Sequence, residues 1–240
     1  MMRVYDDIIR KTMSLLSSEK PREYAHDPSK MPAEGKKNEL ILRREAAFEL
    51  GESNFPSLSY LLLTDNEELV SKDRILLFGK DLQEISGDCP FARISIVLTD
   101  DIGSQGEQGI YDIINEIDMK KYAVSPAGYM TRASHFSNRE QVRVSKSAVK
   151  TGLSFEQVGN LFIKKYKENE HVKAVTVIFI SLGHGPYDEL LTLAKGSGEI
   201  TKALNHIFED SDLDCGACQW KPVCDETEGM KMLHSKMVKG

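Results

Sequence analysis

Cysteine is the residue type whose spacing says most about chemistry in this sequence. The chain has four cysteines, three of them in Cys215-Gly-Ala-Cys218-Gln-Trp-Lys-Pro-Val-Cys224, a C-x2-C-x5-C pattern, while Cys89 stands alone before Pro90. Three thiols clustered and one distant is poor spacing for a disulfide framework and good spacing for a metal site. The two small residues between Cys215 and Cys218 let the backbone fold back so that both thiolates face one metal or one cluster face. Zinc and a 4Fe–4S cluster both accept such ligands, and both want a fourth. Cys89 is either that fourth ligand or a buried small hydrophobe. Iron–sulfur is favoured, because structural zinc usually pairs two C-x2-C hooks and because Trp220, Pro222 and Val223 between the ligands would shield a cluster from water. The arrangement is similar to that of some iron–sulfur nucleases, but no acidic-plus-lysine nuclease core accompanies it.

A second group is cationic. Arg132, Arg139, Arg143, Lys146 and Lys150 cluster within a short stretch of an otherwise acidic chain. Guanidinium groups bind phosphate oxygens bidentately, so this is a candidate phosphate site; a solvated face or a docking patch for an acidic partner is the other reading. No Gly-x4-Gly-Lys-Ser/Thr phosphate loop occurs. Gly183-His184-Gly185 follows a strongly apolar segment, where loops of α/β sheets often carry function, but without a positioned partner His184 reads as a turn residue, as does His135. Met230, Met232 and Met237 read as packing side chains.

These residues must be held by a particular set of elements. Ile8, Ile9, Met13 and Leu16 predict an amphipathic helix over Val4 to Leu16, and Pro21, Pro28 and Pro32 mark a linker from Ser17 to Asn38. Ala46 to Glu52, Ser57 to Thr64, Arg74 to Gly79 and Arg93 to Thr99 read as strands of one sheet. Ile110, Ile113, Ile114 and Ile117 place an apolar stripe on a helix of about Glu107 to Lys121. Ser125 to Asn138 reads as a loop leading to a strand at Glu140 to Ser145. Ser154 with Gln157 forms a capping box, stapled by Leu153 and Val158, that starts a helix running to about Glu168. Val172 to Ser181 is apolar at nearly every position and predicts a central strand covered on both faces. Two short helices, Tyr187 to Lys195 and Gly198 to Phe208, precede the cysteine loop, and the segment Thr227 to Val238 follows it. The fold class is α+β: a single mixed-sheet domain with flanking helices, a helical N-terminal arm and linker over 1–38, a body over 39–208 and a cysteine-bearing tail over 209–240.

Composition narrows the function classes. The 240 residues carry 31 Lys and Arg against 37 Asp and Glu, a formal charge of −6, which argues against a nucleic-acid or membrane-surface binder. Hydrophobic content of 40% with 28% charged residues is that of a soluble globular protein. No apolar run reaches a membrane span, and the acid-containing start is not a signal peptide, so a cytoplasmic location and reduced thiols are expected.

The segments FELGESNFPSLSYLLLT (Phe48 to Thr64), RILLFGKDLQEI (Arg74 to Ile85), VRVSKSAVKTGLSFEQVGNLFIKKY (Val142 to Tyr166) and VKAVTVIFIS resemble, in order, the middle domain of the acetyl-CoA synthase subunit of carbon monoxide dehydrogenase/acetyl-CoA synthase. The resemblance covers roughly Ala46 to Ser181. It implies anaerobic one-carbon chemistry, in which a methyl group from a corrinoid protein, carbon monoxide and coenzyme A are joined at a nickel and iron–sulfur cluster. It further implies coenzyme A binding through arginines, with Arg143 matching one of them and Arg132, Arg139 and Lys146 beside it; Gln141 stands where the family has an aromatic. The family's Cys-Gly-Cys nickel chelate has no counterpart, since this sequence holds no Cys-x-Cys, so complete acetyl-CoA synthesis by this chain alone is not expected. Any enzymatic role would lie within a CO-methylating acetyl-CoA synthase system. The resulting expectation is an iron–sulfur protein that binds coenzyme A, a corrinoid protein or a carbon monoxide dehydrogenase complex partner. The alternative is a non-catalytic interaction module stapled by zinc or a cluster.

Overall fold

The computed structural model describes residues 3–35, 40–41, 46–52, 54–100, 107–134, 138–209, 218–227 and 229–230. Its centre is a mixed five-stranded sheet of β1 (Arg22–Ala25), β3 (Ser57–Thr64), β4 (Arg74–Gly79), β5 (Phe91–Thr99) and β8 (Val172–Ser181), in the order β1-β4-β8-β5-β3. The most apolar run, β8, takes the middle, parallel to β4 and antiparallel to β5, and every residue of β5 is buried. This is the pattern of strands covered on both faces.

Helix α4 (Phe155–Tyr166) covers one face, started by the predicted capping box: the Ser154 side chain accepts from Gln157 N, and the Gln157 side chain accepts from Ser154 N. Phe155 and Phe162 pack on Phe179 with ring centroids 4.6 and 6.3 Å away. Gly159 permits this close approach, since a Cβ there would lie 2.6 Å from Ile75 Cγ1. On the other face lie α1 (Asp6–Leu16) and α5 (Tyr187–Glu209), with a buried 2.9 Å hydrogen bond between Thr12 Oγ1 and Tyr60 OH. Helix α2 (Glu107–Met119) flanks the β3 edge.

Four expectations from the sequence change. The stretch read as a linker supplies edge strand β1, paired antiparallel with β4, and then a strap held by buried Asn160. The Asn160 carboxamide oxygen accepts from Asp27 N at 2.9 Å and lies 2.8 Å from His26 Nδ1, while its nitrogen donates to Lys30 O at 3.3 Å. Proline punctuation marks the ends of this segment, and tertiary hydrogen bonds decide its course.

The expected single sheet is two. Strand β2 (Ala47–Leu50) leaves the main sheet to join β6 (Tyr129–Ser134) and β7 (Arg139–Ser145) in the order β2-β7-β6. Third, β6 occupies part of the expected loop Ser125 to Asn138, because pairing with β7 overrides its Gly and Ser flanks.

Fourth, the two expected helices are one. Helix α5 runs unbroken through Gly196-Ser197-Gly198, although each glycine costs about 1 kcal/mol in a helix interior. Burial of Ser197 and packing of α1 against this turn offset the loss; Ile8 Cδ1 lies 3.7 Å from where a Gly196 Cβ would be. A short helix α6 (Lys221–Glu226) forms inside the cysteine segment, while most of Thr227 to Val238 lies outside the described residues.

Candidate functional site

The phosphate candidates ride on β7 and its neighbours. Alternation turns Glu140, Val142 and Val144 inward and leaves Arg139, Gln141 and Arg143 on the opposite face. Register places Arg132 opposite Gln141 and Met130 opposite Arg143, so Arg132 and Arg139 are diagonal neighbours on the outward face. Diagonal positions lie about 7–8 Å apart, within reach of two long side chains converging on one anion. Both are exposed, and among the described residues neither makes an ion pair.

Arg143 is differently placed. Its Nε pairs with the buried carboxylate of Glu49 across the β2–β7 ladder, and its Nη1 donates to Ile41 O at 2.6 Å. Lys146 opens the short helix α3 (Lys146–Lys150), with Nζ 5.2 Å from the Phe48 ring centroid. Of the four candidates, Arg132 and Arg139 thus stand exposed with no ion pair among the described residues, and Arg143 is engaged.

Sequence reading overlooked a buried ionic network under the same sheet. Arg93 and Glu140, both almost fully buried, form a two-pronged pair with contacts of 2.7 and 2.5 Å. Arg93 also donates to Ser95 Oγ at 2.8 Å and stacks over Phe162 at 4.4 Å. Burial opposes its charge, but adjacent Glu140 outweighs that and holds the guanidinium protonated. Tyr129 OH is buried without a hydrogen-bond partner, and burial, with Glu140 adding to it, pushes its pKa well up. The available signal was Arg93 itself, a charge inside the apolar run Phe91 to Leu98. This network ties the small sheet to the large one and sets the position of the β7 arginines.

The cysteines fall in two places. Cys89 lies at the free edge of β2, where its N donates to Glu49 O at 3.2 Å and its O accepts from Gly51 N at 2.8 Å. Burial first and Asp88 second push its thiol up to about 11. Cys218 and Cys224 flank the start of α6: Lys221 N donates to Cys218 O at 3.2 Å, and Cys224 N to Trp220 O at 3.0 Å. Trp220, Val223 and Cys224 pack against the core, and Lys202 Nζ of α5 lies 5.9 Å from the Trp220 ring centroid. Cys215 lies outside the described residues. Among the described residues, no group of three or more His, Cys, Asp or Glu is disposed to hold a metal ion.

His184 is exposed in an open recess bordered by Glu19, Pro56 and Glu189, while His135 lies outside the described residues. Met230 is fully buried, as expected of a packing residue; Met232 and Met237 lie outside the described residues.

Residues 34–182 match the family described as the CO dehydrogenase/acetyl-CoA synthase complex beta subunit. The chain belongs to this family. It is an acetyl-CoA synthase-like protein, and the match runs from the end of the strap through β8, taking in β2 to β8, the Arg93–Glu140 network and the outward arginines. Helices α1, α5 and α6, with the tail cysteines, fall outside the match. No curated protein matches the chain. No helix among the described residues is long and apolar enough to cross a membrane.

Proposed function

We propose that this acetyl-CoA synthase-like chain is an iron–sulfur protein of anaerobic one-carbon metabolism that binds coenzyme A through the outward face of the small sheet. The observation that carries this reading is the family match enclosing a sheet whose outward face presents Arg132 and Arg139, both exposed. Two guanidinium groups on adjacent strands suit the pyrophosphate and 3′-phosphate of coenzyme A, each able to form charge-assisted pairs. Arg143 supports the site from behind by fixing β2 against β7 through Glu49. Gln141, opposite Arg132, offers no aromatic surface, so adenine adds little there.

The tail donors suit a thiophilic centre: Cys218 and Cys224 share one short segment, and Trp220 and Val223 pack beside them. Cys215, Cys218 and Cys224 would hold a 4Fe–4S cluster, with Cys89 as the candidate fourth ligand. Such a cluster supplies a one-electron carrier or a structural pin. Without a Cys-x-Cys chelate, the chain serves coenzyme A or a corrinoid or carbon monoxide dehydrogenase partner rather than performing acetyl synthesis alone, and the cytoplasm is its proposed compartment.

Calorimetry with coenzyme A tests the first part. Arg132→Ala and Arg139→Ala should each lower affinity by roughly tenfold or more, the size of one charge-assisted contact, while an Arg3→Ala control changes little. Loss of the 3′-phosphate should weaken binding more than alteration of the adenine. No binding at millimolar ligand would reassign the basic face to a protein partner. Anaerobic purification tests the second: about four iron and four sulfide per chain are expected, lost in Cys218→Ser, while retention in Cys89→Ser would remove Cys89 from the ligand list. Stoichiometric zinc without sulfide would instead support a zinc-stapled interaction module.

A further inference from the structure

We draw no further inference here: the strongest candidate, the cavity between α2, α5 and the edge of β3, sets Asp118 against Lys121 and Glu199 against Lys202 in its lining, and nothing in the structure shows what occupies it.

Discussion

Arg93 and Glu140 show how much one ionic pair commits this fold. Each is buried and each answers the other's charge, so removing one strands the other in an apolar surrounding. Arg93→Leu is expected to cost about 3–5 kcal/mol, read as a lower urea midpoint. Arg93→Met combined with Glu140→Leu should recover much of that loss, because no uncompensated charge remains. A double variant no more stable than the single would show that shape rather than charge governs the site. Arg143 invites a related comparison with Arg139. Arg143→Ala leaves Glu49 buried without its partner and should lower stability by a few kcal/mol, whereas Arg139→Ala, at an exposed position, should shift the urea midpoint little while weakening coenzyme A binding.

At the scale of elements, the strap after β1 is tied to α4 by the Asn160 carboxamide and the Lys30–Glu156 pair, and its far end by backbone bonds to residues 125–127. Asn160→Leu removes the acceptor for Asp27 N and the donor to Lys30 O, at an expected cost of about 1–3 kcal/mol. Hydrogen exchange should accelerate at Asp27 while β8 amides keep their protection, since the strap lies outside the central strands. Uniform acceleration throughout the chain would mean that the strap and core unfold together. The contrast between the two sheets belongs here as well. The runs that became β3, β4, β5 and β8 were legible because continuous apolar strands need two covered faces, whereas β2 and β6 are short and half polar, and only their pairing with β7 identifies their sheet.

Across the whole molecule, several buried acids resist ionisation. Burial raises the Tyr5 hydroxyl to about 12, against Thr201 which lowers it, and raises the Cys89 thiol to about 11; burial also raises Tyr60, Tyr129, Tyr166 and Tyr187. The folded state therefore keeps protons that the unfolded chain releases, from the ordinary thiol value of 9.0 and phenol value of 10.0 upward. The associated stability is fully present below pH 9 and is lost as pH rises through 11 and beyond. Urea melts at pH 8, 9, 10 and 11 should give steadily falling midpoints above pH 9, with Cys89→Ala flattening the first part of the decline. A midpoint independent of pH over that range would contradict the burial of these groups.

The sequence by itself determined the central strands, the start of α4, the N-terminal helix, the family likeness and the residue types able to hold phosphate or a metal cluster. Those properties depend on local periodicity, capping and ligand chemistry, which neighbouring residues carry between them. Tertiary structure decided that the Pro-rich stretch forms β1, that α5 continues through two glycines, and that Arg143 is paired while Arg132 and Arg139 are exposed. It also decided that Arg93 meets Glu140. Each of these outcomes depends on a partner distant in the chain, whose burial or hydrogen bonding outweighs the local preference.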